Sequence, residues 1–301
     1  MRLNILGCYS ATPRTMTNPT SQVLEIRNHV FLIDCGEGTQ VQLRKSQIRF
    51  SRIKHIFISH LHGDHFFGLP GLISTFRLLG READLHIYGP KGIKEAITLF
   101  LKLGDSWTNY KLIFHELEDK VPELLFEDDQ VQVSTIPLDH RIYTNGFLFE
   151  EKPLPRNLNI DEIRKHNIDQ SQFNNIKKGK DGESDDGQKI PNTLLTFEPK
   201  APKKYAFCSD TAYNENILPQ IAGVDVLYHE STFLESEKHL GSKTKHTTAK
   251  EAATIAKKAD VGTLILGHYS TRYKSIQLFK AQAATIFENV VLAEDGKVIE
   301  I

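Results

Sequence analysis

Cysteine, tryptophan and methionine are scarce in this sequence, which has three, one and two of them among 301 residues. Cys8, Cys35 and Cys208 form an odd set without a C-x-x-C pair. Such a set argues against a disulfide framework and is typical of the reducing cytoplasm. No stretch approaches the ~20 consecutive apolar residues of a membrane-spanning helix, so we expect a cytoplasmic protein that binds no membrane.

The sequence also lacks an excess of charge of either sign. Its 37 basic and 38 acidic residues give a formal net charge of -1. A chain with so little net charge has no global field that attracts nucleic acid, so a polyanion would have to bind to a local basic patch. The composition, 40% hydrophobic and 25% charged, is that of a globular protein with a large core.

Histidine, in contrast, is concentrated in residues 56–65, which read I-F-I-S-H-L-H-G-D-H. The apolar residues that open this stretch predict a buried strand. His60 and His62 lie two positions apart and point to the same side of an extended backbone, and Asp64 and His65 follow on a glycine turn. Imidazole nitrogen and carboxylate oxygen are ligands of zinc, manganese or iron, so this spacing predicts a metal site. A solvated loop that is rich in histidine by chance is the alternative.

Polar side chains follow other apolar runs that predict strands. His60, His140, Asp210, His229 and His268 each lie within a few residues of such a strand end. Ligands from several strand ends converge on one edge of a sheet in α/β folds. The remaining histidines outside these patterns are interpreted as structural or surface residues: His29, His55, His86, His115, His166 and His239.

Strand and helix patterns alternate along most of the chain, which predicts an α/β (α+β) fold in one large domain, residues 1–301. Residues 11–20 form a polar loop that contains Pro13, and residues 22–26 and 30–34 predict a pair of strands. Residues 273–288 predict the final helix.

The alternation is interrupted between residues 152 and 198. Within this segment, residues 181–188 are rich in glycine, serine and acidic residues, a composition typical of a mobile tip. Apolar residues such as Ile160 and Ile163 predict short helices around it. We interpret residues 152–198 as an insertion that projects from the core.

The ligand pattern resembles that of the metallo-β-lactamase superfamily. The superfamily's motif and its later single ligands match His60, His62, Asp64, His65, His140, Asp210 and His268. A closer resemblance is to the ribonuclease Z family of tRNA 3′-processing endonucleases. It is carried by D-C-G-E-G-T-Q at 34–40, F-F-G-L-P-G-L at 66–72, I-Y-G-P-K-G at 87–92, H-E-S-T at 229–232, H-T-T at 246–248 and the Arg272-Tyr273 pair. The resemblance implies a four-layer αββα sandwich in which residues 152–198 are a flexible, tRNA-binding arm.

The resemblance also implies a pair of zinc ions, with Mn²⁺ or Fe²⁺ as alternatives. One ion would be held by His60, His62 and His140, and the other by Asp64, His65 and His268. Asp210 would bridge both. Two metals ~3.5–4 Å apart lower the pKa of a shared water and clamp both oxygens of an in-line displacement.

The implied reaction is removal of the 3′ trailer from precursor tRNA by hydroxide attack on the phosphodiester, which leaves a 3′-hydroxyl on the tRNA. Asp64 would accept a proton from the water. His246, held by Glu230, is the candidate for protonating the leaving oxygen. Alternatively, His246 is a residue at a helix start with no role in the chemistry.

Substrate binding in this family is implied for Arg272 and for Lys177, Lys178 and Lys180 of the insertion. Phosphate contacts by lysines add affinity without sequence readout. A solvated charge cluster is the alternative for the three lysines, and an acidic run adjoins them. The family further implies a homodimer, in which the insertion of one protomer grips the tRNA that the other cleaves.

Other functions are compatible with parts of this pattern. The same scaffold supports small-molecule hydrolases (a β-lactamase, lactonase or thioesterase) and other phosphodiesterases or arylsulfatases, and a non-catalytic RNA-binding protein is a third class. Asp34 and Glu37 are candidates for carboxylates that orient a ligand imidazole. A helix cap and a surface acid are the alternatives for these two residues.

Overall fold

The computed structural model describes residues 1–12 and 14–301. The predicted polar loop at 11–20 therefore includes one residue, Pro13, that lies outside the described residues. The chain divides into two compact units. Residues 1–150 and 203–301 form the first, here called the core unit, and residues 151–202 form the second, here called the arm.

The first sheet of the core unit has the strand order β18-β1-β2-β3-β4-β5-β6. Its strands are β1 (Arg2–Gly7), β2 (Ser21–Ile26), β3 (His29–Ile33), β4 (Ile53–Phe57), β5 (Leu85–Pro90), β6 (Leu112–Leu117) and β18 (Val298–Glu300). The pairs from β18 to β3 are antiparallel, and those from β3 to β6 are parallel. Because β3 to β6 run in one direction, their carboxyl ends meet at the same edge of the sheet.

The second sheet has the order β17-β16-β15-β14-β9-β8-β7. Its strands are β7 (Leu124–Glu127), β8 (Val131–Pro137), β9 (Asn145–Glu151), β14 (Lys204–Cys208), β15 (Val226–Glu230), β16 (Thr263–Gly267) and β17 (Val290–Leu292). Strands β14 to β17 are parallel neighbours, so this sheet also collects several carboxyl ends at one edge.

Helices of the core unit cover the outer face of each sheet. They are α1 (Thr39–Lys45), α2 (Gly63–Phe66), α3 (Gly68–Leu78), α4 (Ile93–Leu103), α8 (Leu218–Ile221), α9 (Lys238–Thr244), α10 (Ala249–Lys258) and α11 (Gln277–Ala283), with single 3₁₀ turns at Phe50–Arg52, Glu215–Ile217 and Glu235–Glu237. Helices α1, α3 and α4 share an apolar cluster with the first sheet, and α10 and α11 join the cluster of the second. This arrangement confirms the predicted αββα sandwich.

Aromatic side chains fill the space between the two sheets. Phe31 and Phe57 of the first sheet lie 5.4 and 5.3 Å, between ring centroids, from Phe149 and Phe147 of the second. All four are fully buried. Large rings that are removed from water contribute strongly to the stability of such a core. They therefore stabilise the two sheets whose edges collect the carboxyl ends of the parallel strands.

The arm has its own small apolar core. Its elements are β10 (Asn157–Leu158), α5 (Ile160–Lys165), the 3₁₀ turn Gln170–Gln172, α6 (Phe173–Lys177), β11 (Gly182–Glu183), β12 (Lys189–Ile190), α7 (Asn192–Leu195) and β13 (Thr196–Phe197). Ile163, Ile168, Ile176, Ile190 and Leu195 pack together and are buried.

Residues 181–188, which have the composition of a mobile tip, contain β11 and the turn that joins it to β12 in an antiparallel hairpin, and the hydroxyl of Ser184 bonds to Asp186 in this turn. Short polar side chains favour turns by this kind of local bond as well as disorder, and composition alone does not separate the two. The final helix, expected over 273–288, is limited to Gln277–Ala283. None of the helices in the described chain is long and apolar enough to span a bilayer.

Four histidines form a row across the first sheet, on β3, β4, β5 and β6. The rings of His55 and His86 stack with centroids 5.0 Å apart, and His86 and His115 lie 5.3 Å apart. His29 bonds to Asp128 at 2.7 Å. Burial, together with repulsion from these neighbours, lowers the pKa of His55 to about 3. These ring contacts give the row a structural role, one of the two alternatives, structural or surface, that the sequence left for these histidines.

We expect the row to make the protein sensitive to acid. The unfolded state binds the His55 proton near pH 6.5, whereas the folded state resists it down to about pH 3. The free energy of unfolding should therefore fall as the pH drops below 6.5, by up to about 1.4 kcal/mol per pH unit for this group. Urea unfolding at pH 7.5 and 5.5 should show a smaller loss in His55→Gln than in the wild type. His239→Gln, at an exposed histidine, is the control, and equal losses in all three proteins would contradict the prediction.

Candidate metal centre

The predicted ligands lie where the two sheets present the ends of their strands. His60 and His62 follow β4, and Asp64 and His65 lie on the short helix α2. The single ligands from distant parts of the chain follow β8, β14 and β16: His140, Asp210 and His268. The structure thus brings all seven of these side chains to one place.

Four of these side chains form a first group, His60, His62, His140 and Asp210. His60 Nε2 lies 2.9 Å from His62 Nδ1. Asp210 Oδ2 lies 3.5 Å from His60 Nε2 and 3.8 Å from His140 Nε2. Their nitrogen and oxygen atoms therefore surround a common point.

Asp64, His65 and His268 form a second group. His65 Nε2 lies 3.3 Å from His268 Nε2 and 3.4 Å from Asp64 Oδ2. Asp210 turns its other oxygen, Oδ1, to this group, at 3.1 Å from His268 Nε2 and 3.4 Å from His65 Nε2. One carboxylate thus faces both groups, with one oxygen for each.

The spacing of these atoms fits a metal ion better than a hydrogen-bonded cluster. Ligand atoms at ~2.0–2.1 Å from a tetrahedral zinc ion are about 3.3–3.4 Å apart. The spacings of the second group, 3.1–3.4 Å, are close to that value and are long for hydrogen bonds. His140 Nε2 is buried in the first group and has no hydrogen-bond partner among the described residues. A lone pair left in this way is available for a cation.

Hydrogen bonds to the opposite ring nitrogen orient most of the imidazoles. The Nδ1 atoms of four of them have partners outside the centre: His60 to Ser59 Oγ at 3.0 Å, His65 to Asp34 Oδ2 at 2.7 Å, His140 to the Lys245 carbonyl at 2.9 Å and His268 to Thr232 Oγ1 at 2.8 Å. Such bonds fix the ring and leave Nε2 free for a metal.

Of the two carboxylates expected to orient an imidazole, the structure supports only Asp34. It is fully buried and also accepts hydrogen bonds from the backbone N–H and hydroxyl of Ser59, at 2.7 and 2.9 Å. Glu37 is exposed and bonds to no imidazole among the described residues. Sequence reasoning missed the roles of Ser59 and Thr232, although Thr232 belongs to the H-E-S-T stretch.

The imidazoles of the first group are neutral at pH 7. Burial lowers the pKa of His62 to about 4, with added repulsion from His60 and His140. Burial also lowers the pKa of His140 to about 4, against the attraction of Asp210. The pKa of His60 is lowered by burial and by His65. Neutral imidazole is the form that binds a metal.

The second group carries an excess of negative charge. Burial lowers the pKa of His65, but the carboxylates of Asp64, Asp210 and Asp34 together raise it well above its usual range. Burial raises the pKa of Asp64, and His65 and His268 outweigh this and hold it below its usual range. Three carboxylates around a buried imidazole thus retain a proton, and a bound cation would supply the same positive charge in its place.

His246 and Glu230 form a pair beside the centre. His246 Nδ1 lies 2.8 Å from Glu230 Oε1. Glu230 is fully buried and also accepts hydrogen bonds from the backbone N–H groups of Thr211, at 3.0 Å, and Thr232, at 2.9 Å. Burial lowers the pKa of His246, but Glu230 and Asp210 raise it more, to about 9. His246 therefore carries a proton at neutral pH.

A cavity of 380 Å³ opens onto the ligand atoms. His246, Arg141, Phe233 and Ser270 are among the residues that line it. Arg272 lies next to this wall, where its Nε donates to Ser270 Oγ at 3.2 Å and its guanidinium stacks on Phe233 at 5.2 Å. The cavity therefore has cationic side chains near a centre that is otherwise acidic.

Other residues singled out in the sequence belong to neither ligand group. Lys177, Lys178 and Lys180 belong to the arm and are exposed. His229 also follows the strand-end pattern, but it belongs to neither ligand group. Its Nδ1 bonds to the carbonyl of Glu230 at 2.8 Å, and it is buried within β15. Alternation along a strand places neighbouring side chains on opposite faces, which the strand-end pattern does not resolve.

Comparison with known proteins identifies the class of this centre. The metallo-beta-lactamase fold protein YhfI from Bacillus subtilis shares the fold with a TM-score of 0.69 at 19% identity, over 99% of both chains. Residues 1–151, which include the histidine-rich stretch, match the family model described as Anti-Pycsar protein Apyc1. The sandwich and the paired ligand groups define a hydrolase of the metallo-β-lactamase fold with a divalent-metal site.

More similar proteins narrow the assignment. A protein named Ribonuclease Z from Bacteroides thetaiotaomicron is 50% identical over 300 residues, which are 99% of this chain and 95% of that protein. The crystal structure of the short form of human tRNase Z matches with a TM-score of 0.73 at 29% identity, over 100% of this chain and 99% of that chain. This chain belongs to the ribonuclease Z family.

Proposed function

We propose that this protein is an endoribonuclease that removes the 3′ trailer from precursor tRNA and leaves a 3′-hydroxyl on the tRNA. The family supports this substrate, since the human relative is a tRNase Z. The observation that carries the reaction type is the Asp210 carboxylate, which turns one oxygen to each ligand group. A carboxylate in that position is suited to join two cations.

The residues fit two zinc ions per subunit, with manganese or iron as alternatives. His60, His62 and His140 would hold one ion, Asp64, His65 and His268 the other, and Asp210 both. When bound, a pair of divalent ions activates water and neutralises the charge that develops on a phosphodiester in the transition state.

The side chains around the centre have distinct roles in this proposal. The nucleophilic water gives its proton to the Asp64 carboxylate as its oxygen attacks the phosphorus. The bond from phosphorus to the 3′ oxygen of the last tRNA nucleotide breaks, and Nε2 of His246 gives that oxygen a proton. Glu230 holds the His246 ring through Nδ1 and favours its protonated form. The products are a tRNA 3′-hydroxyl and a trailer 5′-phosphate.

Phosphate contacts outside the centre would position the tRNA. Arg272, and Arg141 in the cavity wall, are placed for phosphates near the cleavage point. Within the arm, Asp181 Oδ1 caps a backbone N–H at 2.8 Å, so it is engaged in local structure. No ion pair involves Lys177, Lys178 or Lys180 among the described residues, which leaves these ammonium groups available for a polyanion.

We expect the triple variant Lys177→Ala, Lys178→Ala, Lys180→Ala to bind precursor tRNA more weakly. Each lost phosphate contact should reduce the salt dependence of binding, log K against log [salt], by about one unit. The kcat for precursor tRNA and the turnover of bis(4-nitrophenyl) phosphate should be unchanged, because the arm lysines are proposed to bind tRNA and take no part in the chemical step. Filter binding at several salt concentrations, together with both turnover assays, measures these effects.

A matched triple variant in the core unit separates a local contact from a change of net charge. Lys54, Lys111 and Lys257 are exposed and have no ion pair in the described chain, so their replacement by alanine removes the same charge. If both triple variants lose the same affinity for tRNA, the effect comes from the net charge of the protein and not from a contact made by the arm. Loss of diester turnover in the arm variant would mean that the arm supports the core.

We further propose a cytoplasmic homodimer. The three cysteines are buried and free, as suits a reducing compartment. Helix α4 buries Ile93, Ile97 and Leu101 but leaves Leu99, Phe100 and Leu103 exposed, and such an apolar surface suits a partner subunit. Light scattering should give twice the chain mass of 34.2 kDa, and a mass of 34.2 kDa at micromolar concentration would contradict the dimer.

Cleavage of a defined precursor tRNA, with both product ends mapped, tests the proposed function. We expect one cut at the 3′ end of the tRNA, a 3′-hydroxyl on the tRNA and a 5′-phosphate on the trailer. Turnover of a lactone, thioester or small phosphodiester without cleavage of the precursor would favour another hydrolase on this fold instead.

A further inference from the structure

A second cavity, of 620 Å³, adjoins the metal centre. Ser10, Ala11, Gly63 and Asp64 line both this cavity and the one that contains the ligand atoms. The two cavities are therefore neighbours that meet at Asp64. An RNA strand whose scissile phosphate lies at the metal centre would extend into this second cavity, here named the side cavity.

Phe67 forms one wall of the side cavity. Its side chain is 62% exposed, although phenylalanine is among the most apolar residues. Its ring lies on Gly63, because a Cβ added to that glycine would be 2.5 Å from Phe67 Cε2. The N–H of Phe67 also donates to the Gly63 carbonyl at 2.9 Å, which fixes this helical turn. The sequence thus holds an aromatic ring against the backbone between His62 and Asp64.

The opposite wall is formed by Tyr9, Asn18 and Pro19. It is held by hydrogen bonds, because the Asn18 amide donates to Asp295 at 2.8 Å and accepts from Gln42 at 2.8 Å. The N–H of Tyr9 donates to the Asn18 carbonyl at 3.1 Å. The side cavity therefore has the aromatic ring of Phe67 in one part of its lining and the hydrogen-bonded residues Tyr9 and Asn18 in another.

The lining of the side cavity excludes a phosphate. Its charged members among the described residues are the acids Glu37 and Asp64, and it has no lysine or arginine. Carboxylates repel a phosphate, whereas an uncharged, flat and polarisable group gains from contact with an aromatic face. A nucleobase has these properties, and stacking of single-stranded bases on aromatic side chains is common in nucleic-acid binding.

The position of His246 indicates which nucleotide enters. In the proposed reaction His246 protonates the 3′ oxygen of the last tRNA nucleotide, which therefore lies on the His246 side. His246 lines the cavity of the metal centre but not the side cavity. The nucleotide on the other side of the scissile phosphate, the first of the trailer, is then the one that lies beyond Asp64.

We propose that the side cavity receives the base of the first trailer nucleotide and that Phe67 stacks on this base. The proposal rests on the proposed endoribonuclease function. Stacking is tolerant of sequence because every base has a π face. Phe67 thus acts as a binding residue for the trailer. It favours a nucleotide that carries a base over an abasic nucleotide, whatever the base is.

Replacement of Phe67 tests the stacking. We expect Phe67→Ala to lower kcat/KM for precursor tRNA by about 5- to 150-fold. Phe67→Trp should retain most of the activity, whereas Phe67→Leu, which is apolar but has no ring, should lose most of what alanine loses. Trp107→Ala is the matched control, since Trp107 is 52% exposed and lines neither cavity. Unchanged kcat/KM in Phe67→Ala, or full activity in Phe67→Leu, would overturn the proposal.

Precursors with one abasic nucleotide test the position of the base. With an abasic first trailer nucleotide, wild type should slow to the level of Phe67→Ala, and the two proteins should then be equal. With an abasic last tRNA nucleotide, the difference between them should persist. The reverse pattern would assign Phe67 to the tRNA side and overturn the proposed position.

These experiments also separate the proposal from the function on which it rests. Failure of the wild type to cleave the intact precursor would refute the endoribonuclease function itself. Cleavage by the wild type with the same kcat/KM in Phe67→Ala would refute only the stacking. A lower melting temperature in Phe67→Ala and Phe67→Trp alike, with equal loss of activity, would assign Phe67 to the support of helix α2 and overturn its role in binding.

Discussion

Asp64→Ala should slow the cleavage of precursor tRNA by about 10²- to 10⁴-fold, the range for loss of a positioned proton acceptor. Asp64 contributes to the centre in two ways, since its Oδ2 lies 3.3 Å from His268 Nε2 and its carboxylate faces the cavity. In the proposed reaction, the variant lacks both a metal ligand and the group that takes the proton of the water. Single-turnover kinetics with saturating enzyme measures the chemical step directly.

The same variant should keep its fold and its affinity for tRNA. Asp64 lies on the short helix α2 and belongs to neither apolar cluster of the core unit, and the proposed tRNA contacts lie elsewhere. Asp129→Ala, at an exposed acid away from the centre, is the matched control and should cleave at the wild-type rate. If Asp64→Ala cleaves nearly as fast as the wild type, the assignment of this residue is wrong.

His246→Ala should show a loss that depends on the leaving group. Precursor tRNA releases a strongly basic 3′ oxygen, so loss of the acid should slow its cleavage by about 10²- to 10⁴-fold. 4-Nitrophenolate leaves without a proton, so turnover of bis(4-nitrophenyl) phosphate should fall far less. The ratio of the two rates, measured for the wild type and for the variant, isolates proton transfer from metal binding.

Glu230→Gln measures how much the activity depends on the carboxylate that holds the His246 ring in place. Glu230 acts through His246 and does not touch the substrate, so its variant should lose less activity, with the same dependence on the leaving group. The variant with both substitutions should lose no more activity than His246→Ala alone, because both substitutions disable the same pair of side chains. Equal loss of both substrates in His246→Ala would mean that His246 supports the centre and donates no proton.

The sequence predicted the fold, and it predicted that the proposed ligand side chains lie together, because part of each pattern is local in the chain. His60, His62, Asp64 and His65 lie within six positions, so a strand and a turn are enough to bring them together. His140 and His268 required a further inference, that strand ends share one edge. That inference fails for His229, which lies inside its strand and belongs to neither ligand group.

What could not be predicted depends on contacts between distant residues. Asp34 and Glu37 look alike in the sequence, and only the tertiary structure puts Asp34 next to His65 and Glu37 on the surface. Thr232 contacts His268 because two neighbouring strands end together. Phe67 packs its ring on Gly63 because both residues lie in one helical turn. That turn has no capping side chain at its start, so the sequence did not predict it.

The arm illustrates the limit of arguments from composition. Its polar, acidic and glycine-rich residues are typical of disordered segments, yet they form capped turns around a small isoleucine core. A short sequence with few apolar residues can fold when each polar side chain satisfies a backbone group. Asp181, the acid next to these lysines, caps a backbone N–H instead, and no ion pair involves the three arm lysines among the described residues, which supports their proposed contact with tRNA.

Seven side chains are proposed to hold a pair of cations together. Metal analysis combined with an activity assay tests this claim most directly. We expect the purified protein to contain close to two divalent ions per chain, to lose cleavage of precursor tRNA after exhaustive chelation, and to regain it on addition of zinc. Full cleavage by protein shown to be free of metal would contradict the account.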